Sequence, residues 1–161
     1  MGEAGDRTGQ YVIFRLGEEE YGLPIEQVSS IIRYEPATPV PHAPRSVDGV
    51  INLRGRIIPV VNLKRKLLDQ EFEPTGVSRI VVAEGEAGMV GLVVDAANEV
   101  ATIDLGEVRP TPEMALSAET MEAFEGVANH GARLVILLNL DRALPSSEYA
   151  RVAAQEVDSD V

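Results

Sequence analysis

The feature of this 161-residue chain that most restricts its fold is an internal repeat. Residues 49–68 align without gaps on residues 126–145, and eight of the twenty aligned positions are identical. Upstream of each copy, a Gly-Glu pair is followed by a Gly-Leu pair, within residues 17–23 and again within residues 85–92. Two copies are too few for a solenoid, which needs at least about three. The repeat therefore predicts two similar lobes that support each other.

Each copy consists of short segments typical of β-strands. Residues 11–16, 56–63, 79–84, 89–95 and 133–140 are rich in β-branched and aliphatic side chains, and Gly and Pro turns separate them. Small antiparallel sheets of this size reduce their exposed edges by curling into barrels. We therefore predict an all-β fold of two small antiparallel β-barrels that share a hydrophobic seam. A short C-terminal helix is expected over residues 146–157, where apolar residues recur at helical spacing.

The repeat also indicates domain boundaries. We predict a disordered lead over residues 1–10, a two-lobed domain over 11–147, and a helix with an acidic tail over 148–161. The lobes are expected near residues 11–70 and 79–145, either separate or with the ends of the chain interleaved between them. Four prolines within residues 35–44 predict an extended surface loop.

The charge distribution restricts the partners. A formal net charge of −12 opposes binding to nucleic acid and to anionic lipid, and few aromatic rings are present to stack on bases. Residues 49–68 nevertheless carry five basic side chains and no acid. This segment is either a solvated basic face or a docking surface for an acidic partner. Within it, Arg54 has no counterpart in the second copy, and it either ties down a neighbouring loop or contacts a partner.

Residues for catalysis are scarce. The chain has no cysteine, no nucleophile elbow and no phosphate-binding glycine loop, and its only histidines are His42 and His130. Two isolated histidines make a poor metal site. We therefore predict a binding module without catalytic residues, metal or cofactor. A small enzyme that uses His130 and the region of Asp95, and a nucleic-acid-binding barrel, are the alternatives.

Four blocks of residues resemble the CheW family of chemotaxis coupling proteins. They occur in the family's order and span about residues 10–147. The Asn-Leu-Arg-Gly block and the Ile-x-Pro-Val that follows it are the most specific. The blocks are Tyr21-Gly22-x-x-Ile25-x-x-Val28, Gly49-Val50-x-Asn52-Leu53-Arg54-Gly55-x-Ile57-x-Pro59-Val60-Val61-x-Leu63, Val90-Gly91-x-Val93-Val94-Asp95 and Arg109-Pro110-x-Pro112-Glu113.

The resemblance implies two five-stranded barrels and a non-catalytic adaptor. It implies that the chain links the cytoplasmic tip of methyl-accepting chemoreceptors to the regulatory domain of the histidine kinase CheA, and relays receptor signals to that kinase. The same role in a gliding, pilus or second-messenger chemosensory pathway is the alternative. A cytoplasmic protein is expected, recruited to membrane-associated receptor arrays by its partners, with no direct membrane binding.

The resemblance also implies a set of coupling positions. Gly49 and Gly91 would let a partner approach closely, and Arg54 would offer directional hydrogen bonds. Arg54→Glu or Gly49→Asp is then expected to weaken coupling and leave the fold mostly intact. The complete set is Val28, Gly49, Asn52, Arg54, Gly55, Gly91 and Val100.

Two positions depart from the family pattern. Some members have a glutamate where Ser30 stands, and that glutamate can pair with the arginine of the Asn-Leu-Arg-Gly block. Here Arg54 would have to use Glu26, Glu35 or a residue of the partner. An aspartate common in the family is replaced by Asn62, which removes one charge.

Overall fold

The computed structural model describes residues 7–86, 88–112 and 117–144, which form ten strands and three short α-helices. The predicted helix over 146–157, the acidic tail and Glu113 lie outside the described residues. The first strand begins inside the segment predicted as a lead. The elements are β1 (Thr8–Leu16), β2 (Glu19–Pro24), β3 (Val28–Arg33), β4 (Val47–Leu53), β5 (Arg56–Asn62), α1 (Leu63–Leu68), β6 (Arg79–Gly85), β7 (Gly88–Val94), β8 (Ala96–Asp104), α2 (Ala118–Glu122), β9 (Phe124–His130), β10 (Arg133–Leu138) and α3 (Leu140–Ala143).

The strands form two five-stranded sheets, in the orders β8-β1-β2-β10-β9 and β3-β6-β7-β5-β4. The predicted all-β class is thereby confirmed. The two orders are equivalent, since each copy of the repeat gives its first hairpin to one sheet and its other three strands to the other sheet. A parallel pair joins the copies in both sheets, β2 with β10 and β7 with β5. The boundary near residues 70–79 therefore separates the copies but not the sheets.

The expected barrels are not closed by backbone hydrogen bonds. Among the described residues, no ladder joins the outer strands β8 and β9 of the first sheet, or β3 and β4 of the second. Side chains span the first gap instead. Glu99 on β8 contacts His130 Nε2 on β9 at 3.2 Å and accepts a hydrogen bond from Arg133 on β10 at 2.9 Å. Arg133 also donates to Glu20 on β2 at 2.8 Å. This polar cluster replaces the missing ladder.

The polar cluster makes the stability of the fold change with pH in the acid range. The hydrogen bond from Arg133 holds the pKa of Glu99 below its ordinary value. The folded state thus favours the Glu99 carboxylate. Its contribution to the free energy of unfolding is complete above the pKa that Glu99 has in the unfolded chain, and it is lost as the pH falls through the lower pKa of the folded state. In urea unfolding followed across the acid range, Glu99→Gln is expected to reduce the loss of stability on acidification. Glu107→Gln, at an exposed acid without an ion pair among the described residues, should leave it unchanged. Identical pH profiles for wild type and Glu99→Gln would contradict this assignment.

The predicted hydrophobic seam is present and is the largest core cluster. It joins aliphatic residues of both sheets, and the fully buried Tyr21 lies within it. The Tyr21 ring is stacked on Phe14 with centroids 5.8 Å apart and is tilted against Phe124 at 6.0 Å. Burial raises the pKa of the Tyr21 phenol well above its ordinary value. Each sheet has one smaller cluster of its own, whereas the largest cluster is shared between the two sheets.

The repeated Asn-Leu pair has a local structural role in both copies. The side-chain oxygen of Asn62 accepts a hydrogen bond from the Arg65 amide at the start of α1, and Asn139 accepts one from the Arg142 amide at the start of α3, each at 3.1 Å. Asparagine caps a helix as well as aspartate does. The departure at Asn62 therefore keeps the cap while it removes the charge.

Candidate functional site

The Arg54-Gly55 turn between β4 and β5 is the most exposed part of the expected site. Both central residues have positive φ, +53° at Arg54 and +86° at Gly55, which is the pattern of a type I′ hairpin. The Asn52 side chain fixes the turn, because its oxygen accepts a hydrogen bond from the Gly55 amide at 2.9 Å. The structure thus brings Asn52, Arg54 and Gly55 together at one hairpin tip.

Arg54 does not tie down a neighbouring loop. Its side chain is exposed and has no hydrogen bond or ion pair with any described residue, so that neither Glu26 nor Glu35 neutralises it. An arginine in the left-handed region costs of the order of 1 kcal/mol relative to glycine or asparagine. The tip therefore holds a strained, fully solvated guanidinium, an arrangement that stability does not require.

The remaining basic segment is largely neutralised by the chain itself. Lys64 pairs with Asp95 at 3.2 Å, and both side chains are mostly buried. Arg65 pairs with Asp48 at 2.9 Å. Of the segment's arginines, only Arg54 and the neighbouring Arg56 are exposed without a partner among the described residues. A docking surface for an acidic partner is thus reduced to the hairpin tip.

Gly49 does not present an open surface. It is buried with φ at +145°, and a Cβ atom there would overlap the Thr38 carbonyl and touch Pro39. This close approach belongs to a bridge in which Thr38 and Val50 exchange backbone hydrogen bonds at 2.8 and 2.9 Å. The expectation that Gly49→Asp leaves the fold mostly intact is therefore revised, because an added side chain would strain the backbone and displace the proline-rich loop.

Gly91 is also packed against the chain's own residues. It lies on β7 between β6 and β5, and a Cβ atom there would stand 2.9 Å from a methyl carbon of Ile80. Val28, at the start of β3, is half-buried against the seam. Gly91 is therefore covered by the chain itself, whereas Val28 keeps part of its surface exposed.

Val100 is one of two exposed large apolar residues on the described strands of the first sheet, and Leu134 on β10 is the other. Val100 lies on β8 with 51% of its surface exposed, and its cross-strand partner is Val12. The sequence reasoning missed its equivalent, Ile31 on β3, which is 39% exposed and lies opposite Val81. Ile31 and Val100 are 69 residues apart, and so are their partners Val12 and Val81. The same spacing relates Gly22 to Gly91 in the repeat. Extending the repeat alignment upstream would have found Ile31.

The residues of the enzyme alternative have structural partners and do not converge. Asp95 accepts a hydrogen bond from the Gly17 amide at 2.6 Å and pairs with Lys64, whereas His130 contacts Glu99. Within the described ranges, no group of three or more His, Asp or Glu side chains could hold a metal ion. No helix in the same ranges has the length and apolar character to cross a membrane.

Comparison with known proteins places these features in a family. A model of the CheW-like domain matches residues 10–148. The chain is 39% identical over 139 residues to the chemotaxis protein CheW of Rhizobium meliloti, covering 86% of this chain and 89% of that protein. It is 35% identical over 150 residues to CheW of Klebsiella aerogenes, covering 92% and 90%. The chain belongs to the CheW family.

The fold agrees with a solved structure of the same family. The scaffolding protein TtCheW from Thermoanaerobacter tengcongensis superposes with a TM-score of 0.77 at 32% sequence identity, covering 87% of this chain and 91% of that chain. Two interleaved five-stranded sheets are thus an architecture that this chain shares with a scaffolding protein.

Proposed function

We propose that the chain is a non-catalytic scaffold that couples methyl-accepting chemoreceptors to a CheA-type histidine kinase. The relatives named chemotaxis protein CheW and the solved scaffolding protein support this role. The proposal includes recruitment to membrane-associated receptor arrays through these partners. The residues of the enzyme alternative agree with it, since Asp95 and His130 are held by separate partners, Lys64 and Glu99.

The observation that carries the proposal is the duplication of an exposed aliphatic position. Val100 and Ile31 occupy equivalent places on the outer strands β8 and β3, one on each sheet. An adaptor must hold two partners at the same time, and equivalent surfaces on two lobes meet that requirement.

The two surfaces can be tested separately. Val100→Asp and Ile31→Asp are each expected to weaken binding of a different partner, because a buried carboxylate without a counter-charge is costly at an interface. Binding to a purified kinase regulatory fragment and to a receptor-tip fragment would be measured by calorimetry. Val77→Asp is the matched control, since Val77 is 53% exposed but lies in a loop. Full binding of both fragments by the Val100→Asp, Ile31→Asp double variant would refute the assignment.

Arg54→Asn is expected to separate stability from binding. Asparagine tolerates the left-handed conformation of the turn, so the free energy of unfolding should rise by about 0.5–1 kcal/mol. Loss of a charge-assisted hydrogen bond should reduce affinity for one partner by about tenfold or more. Denaturant unfolding and calorimetry measure the two effects, with Arg142→Gln, at an exposed arginine outside the hairpin, as the control for the loss of one charge. A stabilised Arg54→Asn variant with unchanged affinity for both partners would remove Arg54 from the binding surface.

A further inference from the structure

A polar cavity lies where the ladder between β3 and β6 ends. Its volume is about 360 Å³. The cavity is formed beside the outer strand β3, whereas the Arg54 hairpin joins β4 and β5 at the other end of the strand order. Its lining contains two guanidinium groups and three hydroxyl groups but no carboxylate. The lining residues are Arg33, Tyr34, Thr75, Gly76, Ser78 and Arg79.

The two arginines lie directly opposite each other across the ladder. Arg33 is the register partner of Arg79. The next pair is hydrogen-bonded, since the Tyr34 amide donates to the Ser78 carbonyl at 3.3 Å. The arginines therefore form a non-hydrogen-bonded pair, in which Cα atoms are about 4.5 Å apart and side chains are closest. Like charges at such positions destabilise a sheet.

Nothing in the described part of the chain neutralises this pair. Arg79 donates to the carbonyl oxygens of Ser78 at 2.8 Å and Gly76 at 3.2 Å, and neither acceptor carries a charge. Arg33 is exposed and has neither a hydrogen bond nor an ion pair with a described residue. Arg33 and Arg79 are thus adjacent and have no ion pair with a described acid, so a bound anion would relieve the repulsion between them.

The other lining groups favour an oxyanion. The hydroxyls of Thr75 and Ser78 are 3.5 Å apart, so one can donate to the other and leave an O–H for a ligand. A Cβ atom on Gly76 would meet nothing within 4 Å, so the backbone there is open to approach. Paired guanidinium forks match the oxygens of phosphate geometrically.

We propose that this cavity binds a small phosphate-bearing molecule through Arg33 and Arg79. The phosphate group is the recognised part, and it is available from inorganic phosphate or from a phosphate monoester. The site is independent of the scaffold function, since it uses none of the residues assigned to that function.

Thermal unfolding of the full chain tests the proposal. Phosphate is expected to raise the Tm relative to chloride at the same ionic strength, because a ligand that binds only the folded state stabilises it by mass action. Arg33→Gln and Arg79→Gln should each reduce the apparent phosphate affinity about tenfold or more, whereas Arg56→Gln should not change it. Inorganic phosphate and a nucleoside monophosphate are compared as probes. Equal affinities for the two probes indicate that the site recognises the phosphate group alone. Tighter binding of the nucleoside monophosphate indicates that the site also contacts the organic part of a phosphate monoester.

Charge reversal gives a second, independent test. Arg33→Glu places an opposite charge across from Arg79, so this variant should have a higher Tm than wild type without phosphate and should no longer respond to it. In an NMR titration of the wild type, the Thr75 and Gly76 amide signals should shift saturably with phosphate. An equal response to chloride, an Arg33→Glu variant that still responds to phosphate, or unmoved Thr75 and Gly76 signals would overturn the proposal.

Discussion

Replacing Gly49 by alanine is expected to lower the free energy of unfolding by about 3–5 kcal/mol, an effect large enough to indicate a specific defect. Two penalties combine at this position. The φ of +145° is unfavourable for any residue with a Cβ, at a cost of about 1–3 kcal/mol. The added methyl group would also overlap the Thr38 carbonyl, and overpacking typically costs about 1–3 kcal/mol.

Two other glycines separate the penalties and serve as controls. At Gly55 the φ of +86° is positive but a Cβ atom would meet nothing within 4 Å, so Gly55→Ala should cost only the backbone strain. Gly126 is the counterpart of Gly49 in the repeat and has no positive φ, but a Cβ atom there would lie 2.6 Å from a methyl carbon of Val108 and 2.7 Å from the Arg109 carbonyl oxygen. Gly126→Ala should therefore cost only the overpacking.

Denaturant unfolding of the three alanine variants measures these costs. The largest loss is expected for Gly49→Ala, and the losses at Gly55 and Gly126 should together approach it. A Gly49→Ala variant no less stable than Gly55→Ala would show that the proline-rich loop yields at little cost. A binding defect in any Gly49 variant has to be compared with its folded fraction before it is assigned to a docking surface.

Dividing the chain between the two copies is expected to abolish folding of both parts. Four of the eight strand pairings join the first half to the second, namely β1 with β8, β2 with β10, β3 with β6 and β5 with β7. Residues 1–73 alone would retain only two hairpins, and so would residues 74–161. Isolated hairpins are at best marginally stable in water. Each fragment should therefore lack a cooperative transition by circular dichroism, and an equimolar mixture should regain it.

A third fragment provides the control. Residues 25–95 include β3 to β7, so they retain every pairing of one complete sheet although they contain parts of both copies. This fragment should show more sheet by circular dichroism than either half, although its seam residues would be exposed. A half chain that unfolds cooperatively alone would contradict the exchange of hairpins between the sheets.

The features that the sequence predicted well are local. The strands rich in aliphatic residues, and the Gly and Pro turns that separate them, depend on neighbours within a few positions. The repeat predicted that the two lobes would be alike, because similar sequences form similar local structure. The shared seam followed from the abundance of aliphatic residues.

The features that the sequence did not predict depend on residues far apart in the chain. Lys64 and Arg65 belong to a basic run, but Asp95 and Asp48 neutralise them. Gly49 was expected to let a partner approach closely, but Thr38 of the same chain occupies that space. In these cases the partner is brought close only by the packing of the sheets, which no spacing in the sequence reveals.

The sequence by itself thus determined the type of secondary structure, the twofold likeness of the lobes and the family. Only the tertiary structure decided which hairpin joins which sheet, which glycines are buried, and which arginines are left exposed. The physical reason is that hydrophobic burial and strand pairing are non-local. A strand's own residues make it extended, but its partner is selected by the core that the whole chain forms.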